Sequence, residues 1–283
     1  MTSTSAFIAR LESRFSEGAR VCIGLDSDYE KLPASVKDAH SSPEEAVFVF
    51  NREIIEATAR YASAFKPNSA FYEALGDSGI RALKRTSLYI HEHYPDIPVI
   101  LDAKRADIGS TNEAYACAIF DDLEMDAVTV HPYLGREAIQ PFLDRKDRGI
   151  FVLAKTSNPG SGEFQDAKVG DEELYKLVAR HVAEEWNRNG NCGLVVGATY
   201  PEELAVVRAI ASDMPFLVPG LGAQGGDVAA TVAAGKGARS FGLVLNSSRG
   251  IIFASGGEDF AAAAETAAAE LSGAIIAAER AAS

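Results

Sequence analysis

Basic residues are the scarcer charge in this chain: 27 Lys and Arg stand against 40 Asp and Glu, for a formal net charge of −13. A nucleic-acid partner is therefore not expected, because a phosphate backbone demands a basic face. Cysteine is scarce too. Cys22, Cys117 and Cys192 lie far apart and form no C-x-x-C, so three small buried thiols in a reducing compartment are the expectation. No apolar run reaches the roughly 18 residues that a membrane span needs. The start, MTSTSAFIARLESRF, is polar and amphipathic and does not read as a secretory leader. A cytoplasmic chain with no membrane partner is expected. No H-E-x-x-H, no zinc-like Cys/His spacing and no G-x-G-x-x-G after an early strand occur, so neither a metal nor a dinucleotide cofactor is indicated. His91 and His93 read as a helix-end pair before Pro95, and His131 has no partner carboxylate in view.

What is present is the composition of an ordinary globular protein, 47% hydrophobic and 24% charged. No low-complexity linker divides residues 1–283, so a single domain is expected. Residues 1–20 read as an N-terminal helical extension and the Ala-rich tail as a helix. Between them short apolar runs alternate with segments of helical period. The runs are VCIGLD (21–26), SAFKP (63–67), PVILDAK (98–104), DAVTVHP (126–132), GIFVLAKT (149–156), GLVVGAT (193–199), PFLVPG (215–220) and RSFGLV (239–244). Continuous apolar strands indicate burial on both faces, as in a parallel sheet. Eight such units in this length predict a closed (β/α)8 TIM barrel, with an open doubly wound sheet as the alternative.

Barrel chemistry sits at the C-terminal strand ends. There the chain places Asp26, Lys66, Asp102 with Lys104, His131, Thr156 with Ser157, the segment PGLGAQGG and Asn246 to Arg249, while Asp107 lies beyond the third strand, at or near the next helix start. Residues two apart in a strand share a face, so Asp102 and Lys104 should point together and Arg105 away. A structural ion pair with Asp107 or Ser110 as helix cap is the plain alternative. Buried ion pairs stabilise less than packed apolar residues, so charges gathered at a barrel mouth lean towards function. The segments PGLGAQGGD (219–227) and LVLNSSRGI (243–251) follow strands seven and eight, where many barrels bind phosphate; the plain alternative for their glycines is turn formation. The long stretch 156–170 after strand five reads as an active-site lid.

The motif D-x-K-x-x-D, here Asp102, Lys104 and Asp107 in LDAKRADIGST, resembles the orotidine 5′-phosphate decarboxylase family. IGLDSD, FKPNSAFYEALG, LAKTSNPGSGEFQD, PGLGAQGGD and NSSRGI extend the resemblance over roughly residues 20–255, and the pattern is similar to the longer bacterial subgroup. One departure is Ala106, where the subgroup often has Gly; a backbone needing Gly there would be strained. The resemblance implies cofactor-free decarboxylation of a nucleotide to UMP by a homodimer. It implies an alternating network of Lys66, Asp102, Lys104 and Asp107, with Asp107 and Thr111 supplied across the dimer interface. Lys104 is then the proton donor, Asp26 and Lys66 hold ribose hydroxyls, and Ser157 reads the pyrimidine. Pro219, Gln224 and Arg249 lie at the 5′-phosphate. Rival readings are a metal-dependent sugar-phosphate decarboxylase or epimerase, a Schiff-base aldolase using Lys66, Lys104 or Lys155, and an inactive barrel that only binds.

Overall fold

The apolar runs become eight parallel strands in a computed structural model that describes residues 5–221, 227–237 and 242–282. They are β1 (Val21–Leu25), β2 (Ala62–Pro67), β3 (Ile100–Arg105), β4 (Ala127–Val130), β5 (Gly149–Lys155), β6 (Cys192–Val196), β7 (Phe216–Val218) and β8 (Leu243–Ser247). Hydrogen bonding runs in the order β2-β1-β8-β7-β6-β5-β4-β3. The remaining seam between β2 and β3 is closed by the bridges Phe65–Val99 and Asn68–Asp102. The predicted single-domain barrel is what forms, and the doubly wound alternative falls.

Strand parity sorts the core into two layers. Val21, Ile23, Leu101, Val128, Val152, Leu194, Val218 and Leu245 face the surrounding helices. Cys22, Ala64, Ile100, Ala127, Phe151, Val195, Leu217 and Val244 face inward and form a separate apolar cluster. The N-terminal helix Ala6–Ser16 completes that inner cluster by burying Phe7, Ile8, Leu11 and Phe15 against it. Phe7 meets Phe151 edge-on, with ring centroids 5.8 Å apart. Gly149 makes the space, since a Cβ there would lie 2.4 Å from the Phe7 ring. The helical extension is therefore a plug for the barrel floor.

A second device holds that plug. Asp126, buried at the start of β4, takes Val99 N–H at 2.8 Å and His91 Nε2 at 3.1 Å on one oxygen. Its other oxygen receives Arg10 from the plug helix and Arg148 at 3.4 Å. Burial pushes the Asp126 carboxyl up, but His91 and Arg10 outweigh this and hold it below the usual range.

Three expectations need correction. Cys117 is exposed, while Cys22 and Cys192 are buried. Among the described residues the eighth strand spans Leu243–Ser247, three residues past the end expected at 244, and residues 239–241 lie outside the described residues. Its polar end stays buried because Asn246 Nδ2 donates to Cys22 O at 3.0 Å across the β1–β8 seam. Composition by strict apolar runs also missed that the helix Phe260–Ala281 is long and apolar enough to cross a membrane. In the barrel it is an outer helix, with Phe260, Ala264, Ala268 and Ile275 buried, and Phe260 stacked on Phe50 at 5.1 Å.

Candidate active site

Each strand that places an apolar residue in the floor layer carries its next inward residues toward the C-terminal mouth. That parity brings Lys66, Asp102, Thr129 and Asn246 above the floor, two residues beyond Ala64, Ile100, Ala127 and Val244. They line a cavity of about 620 Å³ together with Asp26, Lys104, Ser157, Thr199, Pro219 and Arg249. Val195 and Leu217 form part of its base.

The charges form a continuous chain. Lys66 Nζ lies 3.2 Å from Asp102 Oδ2 and 3.9 Å from Asp26 Oδ1. Lys104 Nζ lies 2.7 Å from Asp102 Oδ1. Burial alone would push the Asp102 carboxyl up; Lys66 and Lys104 overcome it and hold the group well below the carboxylate range. Burial would likewise push the Lys66 ammonium down, yet Asp102 and then Asp26 raise it above the ordinary lysine value. Both groups are thus held ionised near neutral pH.

Lys104 differs from its neighbours. Its side chain is 48% exposed into the mouth, while that of Lys66 is 3% exposed. Its φ is +47°, a left-handed backbone unusual in a side-chain-bearing residue. The β3–β4 register shifts between Leu101 and Arg105. Lys104 N–H leaves the ladder and donates to Thr129 Oγ1 at 2.9 Å, and Thr129 donates in turn to Asp102 Oδ1 at 2.9 Å. A bulge of this kind re-aims a side chain. Arg105 turns away as expected, pairing with Glu73 and lying over Tyr115. Ala106 is not strained, since Lys104 and Glu124 are the non-glycine residues with positive φ among those described.

Asp107 and Thr111 do not line the cavity. Asp107 Oδ1 accepts the neighbouring Ile108 N–H at 2.6 Å. Neither Asp107 nor Ser110 caps the following helix, Gly109–Ala116: the cap position is Ile108, with no side-chain hydrogen bond. The plain structural reading of Asp107 therefore fails. Lys155 is buried and pairs with Asp166 rather than facing the cavity.

Arg249 opens the short helix after β8, lines the cavity, and makes no ion pair among the described residues. Pro219 lines it too, and Gly220 turns there with φ +100°, a backbone that suits glycine. Gln224 lies outside the described residues. Asp227 caps the helix Val228–Gly235 that follows, accepting Ala230 N–H at 3.0 Å.

The stretch 156–170 is folded rather than a plain loop. It contains turns at Pro159–Ser161 and Gly162–Gln165, and Lys168–Val169 pairs antiparallel with Glu172–Glu173. Gln165 takes Thr156 N–H at 2.9 Å and donates to Thr156 Oγ1 at 2.8 Å, which ties the stretch to the end of β5. Asn158 and Pro159 reach the cavity.

Three buried cavity atoms have no hydrogen-bond partner among the described residues: Asp26 Oδ1, Ser157 Oγ and Thr199 Oγ1. Orphaned buried polar atoms are rare in folded proteins and here converge on one space, so a polar ligand is the natural partner. Thr129 and Thr199 were missed by reading motifs. Thr129 could have been found from parity alone, being two residues past the inward Ala127. Among the described residues no group of three or more His, Cys, Asp or Glu is placed to hold a metal.

A closed (β/α)8 barrel with a charged, partly unsatisfied pocket at the C-terminal ends of its strands is the architecture of an enzyme acting on a small polar molecule. Comparison with known proteins narrows the class. The chain belongs to the "Orotidine 5'-phosphate decarboxylase / HUMPS family", whose model matches residues 19–267. It is 50% identical over 256 residues to the orotidine 5′-phosphate decarboxylase of Azoarcus sp. (strain BH72), covering 90% of this chain and 92% of that one. It superposes on the Leishmania donovani OMP decarboxylase with a TM-score of 0.83 at 39% identity, covering 97% and 98% of the two chains. The Leishmania donovani UMP synthase gives a TM-score of 0.84 at 40% identity; there the match covers 98% of this chain and 57% of that one. The enzyme is a carboxy-lyase by this relationship.

Proposed function

We propose that the chain converts orotidine 5′-phosphate to UMP without a cofactor, in the making of pyrimidine nucleotides. The observation that carries this reading is the Asp26–Lys66–Asp102–Lys104 chain of charges, whose exposed ammonium shares one cavity with Arg249, unpaired among the described residues. The carboxylated carbon of the substrate's pyrimidine faces Lys104. The bond to the carboxylate breaks, CO₂ leaves, and the electron pair stays in the ring plane, where the π system cannot spread it. An ammonium about 4 Å away is worth roughly 4 kcal/mol to that carbanion at an effective dielectric near 20. Lys104 then gives its proton to the carbon and regains one from water. Asp102 keeps the ammonium aimed and crowds the departing carboxylate.

The other contacts follow the orphaned atoms. Asp26 and Lys66 take the ribose hydroxyls, Ser157 the pyrimidine amide edge, and Arg249 with Gln224 and the backbone near Pro219 the 5′-phosphate. Arg249 suits phosphate through its two-pronged guanidinium. The stretch 156–170 serves as lid, and phosphate binding energy drives its closure. The working unit is a homodimer in which Asp107 and Thr111 enter the partner's cavity. Supporting this, Ile108, Tyr133 and Leu134 are 62%, 89% and 42% exposed. They stand on adjoining loops, joined by His131 N–H to Arg105 O at 3.1 Å and Asn112 Nδ2 to Ala138 O at 2.6 Å. A cluster of exposed apolar residues of this kind fits a protein interface. The cytoplasm is the compartment in which we place the reaction.

The test is ultraviolet absorbance of orotidylate with the purified chain in EDTA. Loss of substrate with UMP formed is the expected result. No turnover, or turnover only after divalent metal is restored, would point instead to a metal-dependent sugar-phosphate chemistry.

A further inference from the structure

The backbone that carries Lys104 has left the sheet. Between the paired residues Leu101–Val128 and Arg105–Val130, β3 advances four residues while β4 advances two. The excess on β3 is taken up in a bulge, and within it Lys104 turns through φ +47°. A left-handed backbone is costly for a lysine and persists only where its neighbours over-determine it. The neighbour that does so here is a side chain.

Thr129 is the residue of β4 that lies between those two pairs, opposite the bulge. It is 1% exposed, and on its other side it stays in register with Phe151 of β5. Its Oγ1 accepts Lys104 N–H at 2.9 Å and donates to Asp102 Oδ1 at 2.9 Å. The same Asp102 oxygen receives Lys104 Nζ at 2.7 Å, and the other receives Lys66 Nζ at 3.2 Å. The contacts close a ring that runs from the Lys104 backbone through Thr129 and Asp102 to the ammonium of Lys104 itself. A hydroxyl has one proton. With Lys104 N–H as the incoming donor, that proton goes to Asp102, so the ring has a single direction. Burial would raise the Asp102 carboxyl; Lys66 and Lys104 oppose this, and the Thr129 hydroxyl adds to them. A β-branched side chain is stiff at χ1, so the hydroxyl is held in place at little cost in entropy.

We propose that Thr129 is a positioning residue for the proton transfer: its hydroxyl replaces the ladder partner that the bulge removes, holds Lys104 in its left-handed turn, and orients the carboxylate that aims the Lys104 ammonium. The inference rests on the reading of Lys104 as the proton donor. Thr129 lines the cavity, but with its proton committed to Asp102 it has none to give a ligand, so it acts through its two neighbours. Without the hydroxyl, Lys104 N–H and Asp102 Oδ1 each lose a partner, β3 relaxes towards an ordinary backbone, and the ammonium loses its aim.

The test uses the full chain with Thr129→Val, which keeps the branched shape and removes the hydroxyl, and combines orotidylate kinetics, UMP calorimetry and a crystal structure of the variant. A fall of about thirtyfold in kcat is expected, the range of one lost hydrogen bond to a charged group and of a reacting group displaced by about 1 Å. KM and the affinity for UMP should stay within about twofold of native, because the contacts that hold the nucleotide are untouched. In the crystal structure Lys104 should leave the left-handed region. Thr129→Ser, which returns the hydroxyl without the branch, should bring kcat back to within about fivefold of native. Thr129→Ala is the second variant should Thr129→Val fail to fold, with the same fall expected. A merely structural hydroxyl would lower the denaturation midpoint and leave the kcat of the folded fraction alone, or would move kcat and UMP affinity together; either result overturns the inference. So does a Lys104 that stays left-handed in the variant, or a Thr129→Ser no faster than Thr129→Val. If the native chain does not consume orotidylate at all, the proposed function fails; if it does and folded Thr129→Val keeps the native kcat, this inference alone fails.

Discussion

At the floor of the barrel the buried carboxylate of Asp126 has both oxygens engaged, by Val99 N–H, His91, Arg10 and Arg148. At the mouth, Asp26 has a buried oxygen with no hydrogen bond among the described residues, and Ser157 and Thr199 share that condition. Both ends take charge out of water, and only one of them completes the account with its own groups. The floor is apolar apart from its clasp, with Phe7, Ile8, Leu11 and Phe15 closing it. The mouth keeps polar atoms unpaired and carries a lysine in a left-handed backbone. Strain and unsatisfied groups cost stability and persist where the surrounding fold over-determines them. The floor provides that over-determination, which leaves the mouth free to match a ligand.

The largest effect should come from breaking the mouth at its one exposed ammonium. Lys104→Ala is expected to lower kcat by at least about a thousandfold, because proton donation and carbanion stabilisation are lost together. Its denaturation midpoint should be close to that of the native chain, since the side chain is half exposed. Retained turnover would remove Lys104 as the acid. Arg249→Ala comes next. A fall of about a hundredfold in kcat/KM, again with little change in stability, is expected from the loss of one two-pronged phosphate contact. Unchanged kinetics would reject the phosphate assignment.

The same contrast explains which parts were legible in the sequence. The barrel was readable because each strand is a short apolar run bounded by polar or turn-forming residues, and such runs carry their parity with them. Lys66 and Asp102 could be placed together because strand ends and period two fix their side, whereas Lys104 joins them through the β3–β4 register shift. The end of strand eight was misplaced because its last residues, Asn246 and Ser247, are polar though buried, and hydropathy does not see a buried amide that donates across a seam. The left-handed Lys104 was equally invisible, since it arises from the β3–β4 register shift and not from any residue type. Asp126 was read only as the start of a strand. Its partners Arg10, His91 and Arg148 are distant in sequence, and no local pattern links them.

Breaking the floor should give the reverse result. Phe7→Ala empties a fully buried ring site against Phe151 and Gly149. A loss of about 3 kcal/mol is expected on denaturant titration, the usual cost of a large core truncation. The kcat of the folded fraction should stay within about twofold of native, as mutations this far from a site act through stability. A large fall in kcat at full folding would mean that the two ends are coupled.

The smallest effect, and the one that sharpens the comparison, lies in pH. Asp102 and Asp126 both have carboxyl groups held below the usual range in the folded chain. A depressed folded value means that each contributes stability above the unfolded carboxyl value near 3.9, and that the contribution is lost as pH falls through the lower folded value. Lys66 has the opposite sign. Its raised folded value gives a contribution that is complete below about 10.4 and is lost as pH rises through the folded value. Stability from these groups should therefore be flat from about pH 5 to 9 and fall on both sides. Asp102→Asn and Asp126→Asn should each make the acid limb shallower, visible in denaturation midpoints between about pH 5 and 2. The two variants then part at neutral pH. Asp126→Asn should still turn over orotidylate when folded, because the floor meets no substrate. Asp102→Asn should not, because the same carboxylate aims the ammonium. Equal turnover in the two would erase the distinction between a carboxylate satisfied by the fold and one reserved for chemistry.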